Sequence, residues 1–172
     1  MGQQQHIYSL HTLLSMAHDV KKNGGKVVIT HGAFDLFHVG HLHLLRQSAK
    51  LGDFFIVGVE SDENIRTYKD KLYRPIIKER ERLDIISELH SVDGVFLIDY
   101  KELGNKDTYE NLYKEFNIDV VTIGRKFFAE DAVHNQIRSL KNAKVVKIED
   151  DLQSTTGILK GIVSKYGNQV LL

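Results

Sequence analysis

The sequence contains no cysteine, a single proline (Pro75) and no surplus charge of either sign, with 23 Lys plus Arg against 23 Asp plus Glu in 172 residues. Without Cys there is no disulfide framework, no thiolate metal site and no Cys nucleophile, and the chain fits a reducing compartment. The neutral balance argues against an extended nucleic-acid or acidic-membrane surface, because gripping many phosphates needs a basic excess. No apolar run approaches the roughly 20 residues of a bilayer span, and the Gln-rich start lacks a signal-peptide core. Internal repeats and low-complexity linkers are also missing. What is present is ordinary globular composition, 42% hydrophobic and 27% charged, at a length that suits one domain with a sizeable core. The expectation is a soluble, cytoplasmic, single-domain protein over residues 1–172, with no nucleic-acid or membrane partner.

Three short apolar runs stand out: Lys26 to Thr30, Phe54 to Val59 and Val120 to Gly124. Weaker ones run from Val95 to Ile98 and Val145 to Ile148. They are β-branched and aromatic without polar alternation, which is how strands buried on both faces of a parallel sheet read. Helical stripes lie between them. Leu10, Leu13, Leu14, Ala17 and Val20 form the first, stopped by Asn23-Gly24-Gly25. Leu42, Leu45 and Ala49 form the next, closed by Gly52; Leu83, Ile86 and Leu89 follow; then Tyr109, Leu112, Tyr113 and Phe116; then Ile158, Leu159, Ile162, Val163 and Tyr166. A helix over about Glu130 to Leu140 is expected on thinner grounds. Strands alternating with helices over short connections predict an α/β, Rossmann-like, doubly wound sheet of about five parallel strands with helices on both faces. Residues 1–25 read as a helical lead-in and 26–166 as the core of the domain. The irregular stretch from Thr67 to Lys78, which carries Lys69, Lys71, Arg74 and Lys78, reads as a mobile loop. Ligands of such sheets bind beyond the carboxyl ends of the strands.

The first of those ends runs Thr30-His31-Gly32-Ala33-Phe34-Asp35-Leu36-Phe37-His38-Val39-Gly40-His41 and leads into a helix. Gly32 lets a ligand approach the backbone. His38 and His41 are three apart, so near a helix start both imidazoles can face one way. Helix-start amides add partial positive charge, and imidazole N–H groups can donate to the same anion. The pattern is a compact polyphosphate cradle without a Walker lysine. Nine His are scattered along the chain, and His6, His11, His18, His43, His90 and His134 read as packed or solvated. A zinc reading of His38, His41 and His43 is disfavoured because no carboxylate or Cys lies at ligand spacing. Ser154, Thr155 and Thr156 precede the last amphipathic helix, so one is an N-cap, and a second helix start could converge on the same triphosphate.

Gly32 to His41 resembles the GxFDxxHxGH signature of the cytidylyltransferase-like nucleotidyltransferases, and the likeness continues from about Lys26 to about Ile162. Tyr73-Arg74-Pro75-Ile76-Ile77 with Arg82 resembles that family's Arg-Pro loop and downstream Arg. Val92-Asp93 with Val95 is similar to its Val-Asp-x-Val strand entry. Gln153 to Ile158 resembles its Ser-Thr-Thr motif, and Asp107-Thr108 through Ile118-Asp119 has the spacing of the heptose-phosphate adenylyltransferase branch.

The resemblance implies attack by a metabolite's phosphate oxygen on the α-phosphorus of a nucleoside triphosphate, CTP or ATP, with release of pyrophosphate. The partners are thus a nucleotide and a phosphorylated alcohol or sugar, for cell-envelope or polysaccharide synthesis. It implies His38, His41 and Lys71 as catalytic residues, with Lys69 the competing lysine. Ala33, Phe34, His38, Gly40, His41, Gly124, Arg125, Ser154, Thr155 and Thr156 would bind nucleotide, and Lys71 and Arg74 the substrate. Mg²⁺ would arrive with the triphosphate, so no protein metal site is expected. Asp35 reads as a structural acceptor bracing the loop. Homodimerisation is expected from the family alone. Some positions depart from the pattern. Gly124-Arg125-Lys126 stands where an acidic residue is common, and Glu149 to Leu152 where glycerol-phosphate enzymes carry Arg; His31, Arg125 and the Lys69 to Tyr73 insertion do not fit the heptose-phosphate branch neatly. Arg125 or Lys126 is expected to contact the base or an anionic group of the acceptor. The competing functions are a class I aminoacyl-tRNA synthetase, disfavoured by the short neutral chain without a Lys-Ser loop, and a nucleotide-binding regulator that lost catalysis.

Overall fold

The computed structural model describes residues 6–69, 73–103, 108–124, 143–149 and 153–167. In chain order the elements are α1 (Leu10–Lys22), β1 (Val27–Gly32), α2 (Val39–Ser48) with a 3₁₀ turn (Ala49–Leu51), β2 (Phe54–Glu60), α3 (Asp62–Tyr68), α4 (Glu79–Ser87), β3 (Gly94–Ile98), α5 (Tyr100–Leu103), α6 (Thr108–Glu115), β4 (Val120–Gly124), β5 (Lys144–Ile148) and α7 (Thr155–Tyr166). The strands form one parallel sheet in the order β3-β2-β1-β4-β5. Every residue of β2 is buried, as a central strand covered on both faces requires.

Alternate side chains feed two cores. Val27, Ile29, Phe54, Ile56 and Ile98 pack with Leu13 and Ala17 of α1 and Leu112, Tyr113 and Phe116 of α6. Val28, Phe55, Val57 and Val59 pack on the other face with Leu44 and Leu45 of α2 and Ile86 of α4. At the amino edge, carboxylates accept the amides that begin the strands: Asp119 takes Val27 N–H at 2.8 Å, Asp93 takes Phe55 N–H at 2.7 Å and Asp53 takes Lys26 N–H at 2.9 Å. The outer edge of β3 is blunted by a parallel bridge to Ile7, with Val95 N–H donating to His6 O at 2.8 Å.

The carboxyl edge is where the sheet opens. β1 keeps register with β2 over its whole length, from Val27↔Phe54 to Gly32↔Val59, but pairs with β4 only at Val28↔Val120 and Ile29↔Val121. Beyond Ile29 the two strands part, and polar side chains of the strands and of α2 fill the gap. Thr30 Oγ1 donates to Thr122 O at 2.9 Å, and Ser48 Oγ lies 2.7 Å from Thr122 Oγ1. This is the point where strand order reverses, the usual place for a crevice.

Two expectations need correction or fall outside the description. Thr67 and Tyr68 are not loop; they complete α3, which is capped by the Ser61 hydroxyl and carries Asp62 and Glu63 in its first turn. Seven residues are too few to build a legible apolar stripe, so local capping and the acidic start decide the helix. The expected helix over Glu130 to Leu140 lies outside the described residues.

Candidate functional site

Between β1 and α2 the chain turns sharply, with Phe34 and Leu36 at φ 49° and φ 48°. Left-handed backbone at two bulky residues costs of order 1–3 kcal/mol each and persists only where the surroundings impose it. Asp35, 1% exposed, supplies that constraint. Its carboxylate accepts from Arg74 Nε at 2.6 Å, Ile76 N–H at 3.1 Å and Ile77 N–H at 2.9 Å. Burial alone would raise its pKa, but the two amides and the Arg74 guanidinium hold it below the ordinary carboxylate range. The distal part of the expected loop, residues 73–78, is therefore tied to the strand-to-helix turn. Arg82, 1% exposed, adds three more ties: Nη1 to Ala33 O at 2.5 Å, Nη2 to Asp62 at 2.8 Å and Nε to Ile77 O at 3.0 Å.

His38 is the N-cap of α2, with Nδ1 accepting from Gly40 N–H at 3.2 Å and His41 N–H at 3.4 Å. The helix-start amides expected to face an anion are thus turned toward His38. With Nδ1 as the acceptor, a neutral His38 carries its proton on Nε2. The His38 and His41 rings stack at 3.7 Å between centroids, and Phe34 meets His41 edge-on at 5.4 Å. His41 Nδ1 is enclosed without a protein partner among the described residues. Burial, then the neighbouring His38, Lys69 and Arg74, push His41 down to about 3 against the pull of Asp35. In the free protein His41 is a neutral imidazole with an unanswered ring nitrogen.

The second helix start lies against the first. A Cβ on Gly40 would fall 2.7 Å from Gln153 O, so only glycine lets α2 approach the segment before α7 this closely. Thr155 Oγ1 donates to Asp35 O at 2.9 Å, while Ser154 caps α7 by accepting Gly157 N–H at 3.1 Å. Thr156 is exposed beside them, and Gly124 closes β4 at the same edge. The structure therefore gathers Ala33, Phe34, His38, Gly40, His41, Ser154 and Thr155 around one crevice. Arg74 borders it with Nε committed to Asp35, so any phosphate contact falls to its terminal nitrogens. Lys69, the C-cap of α3, is near enough for its charge to bear on His41. Lys71, Arg125 and Lys126 lie outside the described residues. Among the described residues, no three His, Cys, Asp or Glu side chains are placed to hold a metal ion.

A polar group beside the crevice escaped sequence reasoning. Glu60, at the end of β2, is 6% exposed and accepts from the hydroxyls of Tyr68 and Tyr109. His31 stacks on Tyr109 at 4.0 Å, and burial, only partly offset by Glu60, lowers its pKa. Tyr109 reads as part of an apolar stripe, and nothing local indicated that its hydroxyl leads to Glu60.

The chain resembles known proteins over most of its length. Residues 29–165 match the Cytidylyltransferase-like family model. The chain is 35% identical over 154 residues to the bifunctional protein HldE of Desulfatibacillum aliphaticivorans and 33% identical over 155 residues to that of Citrifermentans bemidjiense, covering 88% of this chain in each case. It spans only 30% of the length of either relative. The crystal structure of the lipopolysaccharide core biosynthesis protein from Thermoplasma volcanium superposes with a TM-score of 0.59 at 34% identity, covering 73% of this chain and 97% of that one. Pantothenate synthetase from Thermus thermophilus, at 14% identity and a TM-score of 0.60 over 86% of this chain and 63% of that one, shares the fold. With the histidine turn, the crevice and the family match all falling on the same stretch of chain, the protein belongs to the cytidylyltransferase-like family.

Proposed function

We propose that the protein is a nucleotidyltransferase that joins a nucleoside triphosphate, CTP or ATP, to a small phosphorylated alcohol or sugar. The carrying observation is the meeting of two helix starts, α2 with His38 and His41 and α7 with Ser154 to Thr156, through the Gly40–Gln153 approach and the Thr155–Asp35 hydrogen bond. A phosphate oxygen of the acceptor attacks the α-phosphorus, the bond to the bridging α–β oxygen breaks, and pyrophosphate leaves with that oxygen and its electron pair. A phosphate monoester is already nucleophilic, so no general base is required. The protein's task is to hold two anions together and stabilise charge on the oxygens.

His38 donates through Nε2 and neutral His41 through its ring N–H, while Lys69, or Lys71 in its place, contributes positive charge. Ser154 and Thr156 border the same phosphates, Ala33 and Phe34 lend backbone to the nucleotide, and Arg125 or Lys126 meets the base or the acceptor. Mg²⁺ supplies charge neutralisation and is carried in by the triphosphate. Residues 26–166 form the catalytic core; an acceptor of the heptose-phosphate type fits the Asp107-Thr108 through Ile118-Asp119 spacing, and a role in cell-envelope precursor synthesis fits the likeness to the Thermoplasma lipopolysaccharide core biosynthesis protein. The test is pyrophosphate release across a matrix of nucleotides and phosphorylated alcohols and sugars with Mg²⁺. No release with any pair, alongside retained nucleotide binding, would leave a binding protein instead.

A further inference from the structure

The carboxyl edge of β2 holds a buried charge that the transfer chemistry leaves unused. Glu60 ends the strand, and its two oxygens are divided: Oε1 accepts the Tyr109 hydroxyl at 2.8 Å, and Oε2 accepts the Tyr68 hydroxyl. Tyr109 is braced in turn by the Tyr100 hydroxyl at 3.1 Å and by the stacked His31 ring. Burying a carboxylate is costly unless its lone pairs are answered. Two phenol donors answer them here, Tyr68 from α3 and Tyr109 from α6.

Tyr68 differs from the other phenols. It is 51% exposed, so core packing does not hold its ring; the hydroxyl fastened to Glu60 does. The residue after it, Lys69, closes α3 by donating its amide to Ile65 O at 2.9 Å, and its ammonium rests over the Tyr68 ring, 5.5 Å from the centroid. A continuous chain of contacts thus runs from a fixed carboxylate, through an anchored phenol, to a cation whose charge reaches His41.

We propose that Tyr68, held by Glu60, is a positioning residue whose tethered ring seats the Lys69 ammonium at the phosphate cradle. A lysine head on its flexible stem samples many rotamers, and an aromatic face fixed from below restricts them before ligand arrives. This rests on the crevice being a phosphate site, and the experiment separates the two ideas.

Pyrophosphate binding to the full chain is measured by calorimetry for the wild type, Tyr68→Phe, Lys69→Ala and the double variant. Tyr68→Phe keeps the ring and removes only the tether. Lys69→Ala should weaken binding about tenfold and Tyr68→Phe about fivefold, and the double variant should bind no more weakly than Lys69→Ala alone, as two residues acting through one contact require. Glu60→Gln, which keeps the shape of the side chain, should reproduce the loss seen in Tyr68→Phe. A merely structural tyrosine would lower the thermal midpoint and leave the affinity of the folded protein unmoved. Unchanged affinity in Tyr68→Phe or in Lys69→Ala, or a Tyr68 effect that adds in full to that of Lys69, overturns the positioning role and leaves the phosphate site standing. A wild type that binds no pyrophosphate overturns both.

Discussion

His41 has few comforts in the free protein: its Nδ1 is enclosed without a partner among the described residues, and burial, the adjoining His38 ring and the Lys69 and Arg74 charges keep the ring neutral. Such an orphaned group costs about 1–3 kcal/mol. Replacing it with Ala should lower kcat by roughly two to three powers of ten, as expected when a charge-stabilising donor is lost. The fold should survive, since His41 sits at a helix start facing the crevice. Steady-state kinetics with a circular-dichroism melt would check both, and a wild-type rate would remove His41 from the mechanism. Among the cations, Lys69→Ala and Lys71→Ala compared side by side identify the lysine that acts on kcat. The lysine whose loss changes only KM is a binding residue. His38 carries a related lesson. Its place three residues before His41 was legible, yet its role as acceptor for the α2 amides depends on backbone torsions that spacing does not convey.

At the scale of elements, the approach of α2 to α7 depends on one missing methyl group. Gly40→Ala would set a Cβ 2.7 Å from the Gln153 carbonyl, so one helix start must retreat. The expected cost is about 1–3 kcal/mol of stability, as for other overpacked sites. A loss of nucleotide affinity should accompany it, readable by titration calorimetry; unchanged affinity would show that the two starts need not touch. The loop of residues 73–78 depends on Asp35 in a comparable way. Asp35→Asn leaves the Arg74 guanidinium, mostly enclosed, without its counter-charge, which costs about 3 kcal/mol when such a pair is broken. Chemical denaturation would measure this, with an insignificant loss counting against Asp35 as the brace. Periodicity revealed α1, α2, α4, α6 and α7 because each has an apolar stripe, whereas α3 and α5 are too short to show one. Glu60 was hidden by its position: a carboxylate after an apolar run reads as the start of a loop, and only the return of α3 and α6 to that edge makes it the centre of a hydroxyl network.

Over the whole molecule, the buried imidazoles set a pH response. His41 titrates at about 3 and His31 below its ordinary value, while both take protons near 6.5 once unfolded. The unfolded chain therefore binds more protons as pH falls through 6.5, so stability is present above that pH and declines below it. Each group removes about 1.4 kcal/mol per pH unit until its folded pKa is reached. Urea midpoints between pH 7 and pH 4.5 should fall, and His41→Asn should shallow the slope; equal slopes would place the His41 pKa near normal. Nucleotide should act in the opposite direction. At a hundred times its Kd a ligand selective for the native state adds about 2.7 kcal/mol, or about 5–10 °C in melting midpoint for a chain of this size. Titrating CTP and ATP with Mg²⁺ in a thermal melt also compares the two bases.

The one-dimensional pattern was enough for the five strands, the longer helices and the histidine turn, because burial on both faces, 3.6-residue periodicity and a run of glycine and histidine are local properties of the chain. Tertiary structure decided the parting of β1 from β4, the seating of Gly40 against Gln153, the commitment of Arg74 and Arg82 to the scaffold and the gathering of tyrosines on Glu60. Each of these depends on atoms far apart along the chain, and only the folded sheet with its helices brings their charges and hydroxyls within a few ångströms.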